Sequence, residues 1–130
     1  MSTALTTYVD VAIVGAGPCG LAAAIAAMGE RVAVLRPGLI VGPGDNSDRF
    51  TWWPARIDQG GEVLAPDDPN DPCQFIDARD LAEWTVRLAE TRAFGVYNAI
   101  GPVHPLTIAE MLYGVKAVTT AGARFTWVPW

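Results

Sequence analysis

The chain is poor in the residues that carry most catalytic chemistry and most nucleic-acid binding. Its 130 residues include one histidine and two cysteines, and nine lysines and arginines stand against fourteen acidic residues, for a net charge of -5. Lys116 is the single lysine, and the arginines are dispersed. Because no basic stripe is available to neutralise phosphates, the composition argues against nucleic acid and against an anionic membrane surface as partners.

Cysteine and histidine are too few and too scattered for most metal or thiol chemistry. Cys19 and Cys73 lie far apart in the sequence and predict two reduced thiols in a cytoplasmic protein rather than a disulfide. His104 stands between Pro102 and Pro105, distant from both cysteines. This pattern supports neither a zinc site nor a Cys-His nucleophile, so we predict no metal.

One uncharged stretch, residues 11–29, approaches the length of a membrane span. It contains four glycines and a proline, and it follows Asp10 without a cationic flank. Neither a signal peptide nor a spanning helix has this composition. We therefore expect a protein that does not enter the membrane.

Half of the residues (51%) are hydrophobic, which is typical of a globular chain. At this length we predict one domain, residues 1–130. Apolar runs alternate with helical patterns throughout, which predicts an α/β fold with a mainly parallel sheet and helices on its faces. The predicted strands are Tyr8–Val14, Arg31–Leu35, Glu62–Ala65, Cys73–Ile76, Gly95–Ile100 and Arg124–Val128. The predicted helices are Pro18–Met28, Arg49–Gln59, Ala78–Arg92 and Thr107–Thr120, the last with a capping box of Thr107 and Glu110. Residues 37–48 are predicted to be a loop.

The first strand, helix and second strand enclose a G-x-G-x-x-G turn formed by Gly15, Gly17 and Gly20. One glycine allows the tight turn, one allows the backbone to approach a pyrophosphate, and one allows the helix to pack on the strand. We predict that this loop binds a dinucleotide through backbone N–H groups and the helix N-terminus. The predicted cofactor-binding residues here are Gly15, Ala16, Gly17, Pro18, Cys19 and Gly20.

The sequence VAIVGAGPCGLAAAIAA resembles the start of flavoprotein oxidoreductases that bind the ADP half of FAD. The resemblance covers about the first thirty residues. The dinucleotide fingerprint has Asp or Glu at the end of the second strand, whereas this chain has Arg36. A cation there suits a ribose 2′-phosphate and favours NADP over NAD or FAD; alternatively, Arg36 belongs to a second motif and contacts no ribose.

The second motif begins at that arginine. The segments RVAVLRPGLIVGPGDNSDRFTWWPARIDQGGEVLAP, QFIDARDLAEW, GVYNAIGP and FTWV together resemble the C-terminal portion of the NAD-dependent epimerase/dehydratase family, the extended short-chain dehydrogenases. The resemblance spans about residues 31–128 and implies a reduced Rossmann-like fold. It also implies that Arg36, Pro37, Gly38 and the loop to Asp45 line the cofactor and substrate cleft, with Arg49 and Trp53 as substrate-binding residues near its mouth.

The resemblance also implies a catalytic pair that the chain lacks. Such enzymes use Tyr-x-x-x-Lys, in which the lysine lowers the pKa of the tyrosine so that it can act as a base. Tyr113 and Lys116 are one residue too close, and they lie in a helix that the resemblance places elsewhere. We predict no catalytic residues.

Two classes of function therefore remain open. The first is an NAD(P)-dependent epimerase/reductase-like domain that binds NAD or NADP and is inactive or weakly active, with an FAD-binding oxidoreductase fragment as a variant at the same site. The second is a non-catalytic remnant or chimera with a structural or interaction role. The central strands that the resemblance implies between the glycine loop and the catalytic helix are also absent from the chain. Their loss would leave open sheet edges, which predicts a homodimer through those edges.

Overall fold

The computed structural model describes residues 31–66 and 68–129, together with Ala22 and Ala26, which are helical. The predicted strand Tyr8–Val14 and most of the predicted helix Pro18–Met28 lie outside the described residues, as does most of the uncharged stretch 11–29. Within the described residues, the elements in chain order are β1 Ala33–Pro37, β2 Leu39–Val41, α1 Trp52–Asp58, β3 Gly61–Pro66, β4 Pro72–Asp77, α2 Ala78–Thr91, β5 Gly95–Ala99, β6 Gly101–Thr107, α3 Ile108–Ala117 and β7 Ala123–Val128.

The chain divides into two compact units. One comprises Met1–Pro37 and Arg79–Ala99, and the other comprises Gly38–Ala78 and Ile100–Trp130. The prediction of one domain over residues 1–130 is not tested by this division and stays a prediction.

In the first unit, β1 and β5 form a parallel pair in which Ala33 lies opposite Gly95 and Pro37 opposite Ala99. The helix α2 has an apolar stripe, and Leu88 on that stripe is buried. The indole of Trp84 meets the ring of Tyr97 edge to face, with centroids 5.5 Å apart. Such a contact adds to the free energy of burial and orients the two rings.

The second unit contains two small sheets. In one, β4 lies between β2, to which it is parallel, and β6, to which it is antiparallel. In the other, β3 and β7 are parallel, with Val63 opposite Phe125. Three of the four strand pairings among the described residues are thus parallel, which confirms the α/β fold with mainly parallel strands.

The core of the second unit lies between the β3–β7 sheet and the two helices α1 and α3. Its buried side chains are Ile57, Val63, Ala65, Leu112 and Ala123. Partly buried apolar side chains pack around them, among them Trp53 and Phe125. Alternation along β3 and β7 directs one side of each strand into this core.

Two strands were not predicted from the sequence. β2 lies inside the predicted loop 37–48, and β6 has two prolines that disfavour a strand. Both strands form because they pair with β4. Leu39–Val41 pairs with one side of β4, and Gly101–Thr107 pairs with the other. β6 tolerates its prolines because it is an edge strand of this sheet.

The helix starts are explained by nearby side chains more fully than these two strands are. The capping box predicted for the last helix is confirmed: the Thr107 hydroxyl accepts from the Glu110 N–H at 3.1 Å, and the Glu110 carboxylate accepts from the Thr107 N–H at 2.8 Å. α1 is shorter than predicted, and it begins at Trp52. Pro54 is its third residue, where the missing N–H has no partner to lose, so the proline does not interrupt the helix.

None of the helices in residues 31–66 and 68–129 combines the length and apolarity needed to cross a membrane. The predicted homodimer through sheet edges is untested and stays a prediction.

Candidate functional site

The six residues predicted to bind the pyrophosphate, residues 15–20, lie outside the described residues. Their role stays a prediction. Arg36 is exposed on β1, opposite Asn98 of β5, in the first unit. Pro37 ends the same strand and is half-buried.

Gly38 is the first residue of the second unit, and close packing around its backbone explains why a glycine stands there. A Cβ atom there would lie 3.2 Å from Cγ2 of Ile100 and 3.7 Å from the carbonyl oxygen of Gln74. Such a Cβ would require its neighbours to shift, so glycine fits because the backbone is closely approached.

A polar cleft of about 190 Å³ lies at the carboxyl ends of β2 and β4. It is lined by Ile40, Val41, the loop residues 42–46 and Ala78. Val41 and Asp77, the last residues of the two strands, lie opposite each other. Ligands of open α/β sheets bind at this end of the strands, so we take this polar cleft as the candidate site.

The loop that forms the polar cleft depends on glycine. Gly42 has φ of 116° and Gly44 has φ of 90°, conformations that side chains disfavour. A Cβ at Gly42 would also lie 3.3 Å from Oδ2 of Asp77. The carboxylate of Asp77 therefore packs against the loop backbone.

Asp45, Ser47 and Arg49 form a hydrogen-bonded cluster beside the polar cleft. Oδ1 of Asp45 accepts from the Ser47 N–H at 2.9 Å and from the Ser47 hydroxyl at 2.5 Å. The Ser47 hydroxyl in turn accepts from Nε of Arg49 at 3.2 Å. The hydroxyl and backbone bonds from Ser47, assisted by the charge of Arg49, lower the pKa of Asp45, so this carboxylate is ionised at neutral pH.

The second oxygen of Asp45 is the unusual one. Although the residue is only half-buried, Oδ2 is shielded from solvent and has no hydrogen-bond partner within the described chain. An ionised oxygen in this state is costly unless a donor reaches it. One polar atom of a residue that lines the polar cleft is therefore left unsatisfied by the described residues.

The structure separates the two predicted substrate residues. Arg49 is exposed and belongs to the polar cluster through Ser47. Trp53 packs against the core and, with Trp52, lines a different, apolar cleft. The sequence predicted a role for Arg49 but not for Ser47. Ser47 could have been identified because it lies two residues from both Asp45 and Arg49.

Other candidate chemical groups have structural roles or poor reactivity. Tyr113 packs edge to face on Phe125, with centroids 5.1 Å apart. Burial, with a smaller effect from the charge of Glu110, raises the pKa of the Cys73 thiol and disfavours the reactive thiolate. The described residues contain no group of three or more metal-ligating side chains.

Comparisons with known proteins connect the fold to solved enzymes. No protein-family model matches the chain, and no curated protein sequence matches it significantly. The fold is similar to that of RMD from Pseudomonas aeruginosa, solved in complex with NADPH (TM-score 0.64, 19% identity, 79% of this chain and 38% of that one). It is also similar to a dTDP-4-dehydrorhamnose reductase from Clostridium acetobutylicum ATCC 824 (0.65, 11%, 83% and 37%).

A third similar structure is a protein named provisionally as an epimerase, from Burkholderia cenocepacia J2315 (TM-score 0.61, 14% identity, 85% of this chain and 37% of that one). The class defined by these similarities is the Rossmann-like α/β fold found in such reductases. The chain spans little more than a third of each of these neighbours, 37–38% of their length.

Proposed function

We propose that the chain is a dinucleotide-binding domain of NAD(P)-dependent epimerase or reductase type that lacks its own hydride-transfer base. The observation that carries this proposal is the polar cleft at the carboxyl ends of two parallel strands, the place where open α/β sheets bind their ligands. The fold similarity to a structure holding NADPH supports the cofactor class.

The glycine loop and Arg36 would suit a nicotinamide dinucleotide. Glycines at positions 15, 17 and 20 would present backbone N–H groups to the pyrophosphate. Arg36, exposed near the end of β1, would pair with a ribose 2′-phosphate, which favours NADPH over NADH. When bound, this cofactor supplies a hydride donor or acceptor.

The polar cleft would hold the substrate. The loop backbone and the Asp45 carboxylate would offer hydrogen-bond acceptors to substrate hydroxyl or amide groups, while Ser47 and Arg49 orient that carboxylate. No Tyr-x-x-x-Lys pair occurs in the sequence, so the chain binds without efficient turnover.

Calorimetric titration of the purified full chain tests the cofactor. We expect saturable binding of NADPH, weaker binding of NADH and none of FAD. Gly17→Val should abolish binding because its side chain would occupy the space of the pyrophosphate. Gly114→Ala is the matched control, since a Cβ at this α3 position meets open space.

Arg36→Ala separates the two interpretations of that residue. If Arg36 binds the 2′-phosphate, its loss should weaken NADPH binding about tenfold, or ~1.4 kcal/mol, and leave NADH binding unchanged. Equal effects on both cofactors would contradict this role. Absence of binding by NADPH, NADH and FAD alike would overturn the proposed function and favour the non-catalytic remnant.

A further inference from the structure

A second cleft, of about 390 Å³, lies at the carboxyl ends of β3 and β7. We call it the apolar cleft. Pro66 and Val128, the last residues of these strands, lie opposite each other and form one part of its lining. The remaining lining residues are Trp52, Trp53, Leu64, Ala65 and Pro129.

The apolar cleft leaves large hydrophobic side chains in water. Leu64 is 61% exposed, Trp52 48% and Val128 43%. Parallel strands are normally covered on both faces, yet Leu64 and Val128 point away from the core, which lies on the Val63 and Phe125 side. Exposed apolar area of this kind favours a ligand that removes it from water.

The geometry of the two indoles selects an aromatic ligand. The rings of Trp52 and Trp53 are 4.7 Å apart between centroids and nearly perpendicular, at 81°. A pair in this arrangement offers a ring face and a ring edge, the two surfaces that a third aromatic ring prefers to contact. Trp53 packs against the core, so this side of the cleft is held in place before a ligand arrives.

The lining selects against charge. All seven lining residues are apolar. Arg56 donates to the carbonyl oxygens of Gly60 and Glu62, and the Glu62 carboxylate accepts from the Thr126 hydroxyl at 2.6 Å. A charged ligand would lose its hydration without gaining a partner.

The size indicates a small molecule. Small-molecule sites are concave, mostly apolar and roughly 300–1,000 Å³ in volume. The apolar cleft lies at the lower end of that range. We propose that it binds a neutral, planar aromatic molecule of one or two fused rings. No dinucleotide and no residue of the polar cleft enters this inference, so it stands or falls independently of the proposed function.

Nuclear magnetic resonance of the indole N–H groups of the full chain tests the proposal with 2-naphthol as the probe. We expect saturable shifts of the Trp52 and Trp53 signals, assigned with Trp52→Phe and Trp53→Phe, while those of Trp84 stay in place. Two further ligands of similar size test separately the need for flat rings and the need for a neutral ligand. Decahydro-2-naphthol keeps the hydroxyl without the flat rings and should bind about three- to tenfold more weakly. The charged 2-naphthoate should bind at least about tenfold more weakly.

Leu64→Asp supplies the matched protein variant, since it places a carboxylate in the apolar cleft at a side chain already exposed. Val118→Asp is its control, at a residue that is 85% exposed and does not line the cleft. Binding of 2-naphthol should fall at least about tenfold in Leu64→Asp only.

The proposal is overturned if 2-naphthol leaves both indoles unshifted, if the saturated ligand binds equally well, or if the two aspartate variants behave alike. It is also overturned if the Trp52 and Trp53 signals move with protein concentration alone, because a second copy of the chain would then be the occupant.

Discussion

The polar cleft and the apolar cleft occupy equivalent places in their sheets but differ in chemistry. Each lies at the carboxyl ends of a parallel strand pair in the second unit, β2 with β4 and β3 with β7. The first is bordered by a glycine loop and the Asp45 carboxylate. The second is bordered by two indoles, two prolines and aliphatic side chains.

This difference shows that strand topology creates the concave end, whereas the residues that follow each strand decide what can bind there. After β2 the chain continues as Gly42-Pro43-Gly44-Asp45, which exposes backbone and charge. β3 and β7 end in Pro66 and Val128, and Pro129 follows, so little polar surface is presented. Three predictions address this contrast.

The largest effect is expected from the core beneath the apolar cleft. Leu112→Ala removes a fully buried side chain between α1, α3 and the β3–β7 sheet, and should lower the free energy of unfolding by about 3 kcal/mol. Ile57→Val, at an equally buried site, should cost about 1 kcal/mol. Urea denaturation measures both. Equal losses from the two substitutions would contradict the assignment of Leu112 to a tightly packed core.

A smaller effect is expected at the polar cleft. Gly42→Ala forces a side chain into φ of 116° and against Asp77, and should cost about 1–2 kcal/mol of unfolding free energy. Gly114→Ala lies within a helix with open space for its Cβ, and should stabilise the chain by up to about 1 kcal/mol. The same urea measurements compare the two; a neutral Gly42→Ala would show that the loop is not held in this conformation.

The smallest effect is the pH dependence of Asp45. Because its pKa is lowered in the folded chain, the ionised carboxylate stabilises the fold above the ordinary value of 3.8, and this stabilisation is lost as the pH falls through the lowered pKa. Asp45→Asn should therefore destabilise the chain at pH 7, and the difference from the unmodified protein should shrink below pH 3.8. Thermal unfolding between pH 7 and pH 2.5 measures it.

Ser47→Ala provides the control for that experiment, since Ser47 supplies the hydrogen bonds that lower the pKa most. Removing its hydroxyl should reduce the acid-linked loss of stability in the same pH window. A difference between Asp45→Asn and the unmodified chain that stays constant from pH 7 to pH 2.5 would show that the carboxylate charge is irrelevant to folding.

Much of the second unit could be predicted from local sequence. The strand at Glu62–Ala65 and the last strand show alternating or apolar patterns. The capping box of Thr107 and Glu110 predicts the start of α3. β2 and β6 could not be predicted in this way. β2 has only three apolar residues, flanked by glycines, and β6 contains two prolines. Each becomes a strand only because β4 lies between them and supplies hydrogen bonds.

The candidate site likewise has features that the sequence could predict and features that depend on strand pairing. Its glycines and Asp45 were predicted as cleft residues through the family resemblance of the loop that contains them. The packing of Asp77 against Gly42 could not, because the two residues are 35 positions apart and meet only when β2 and β4 pair. Trp53, predicted as a substrate-binding residue, packs against the core, while Trp52 is half exposed.

The sequence by itself determined the alternation of strands and helices, the capping of α3, the positions that require glycine and the lack of a Tyr-x-x-x-Lys pair. These properties depend on backbone conformation and side-chain chemistry within a few residues. Only the tertiary structure decided which strand ends meet, and therefore that one cleft is charged and the other apolar. Strand pairing joins residues distant in sequence, and the free energy that selects those pairs comes from burial shared by the whole unit.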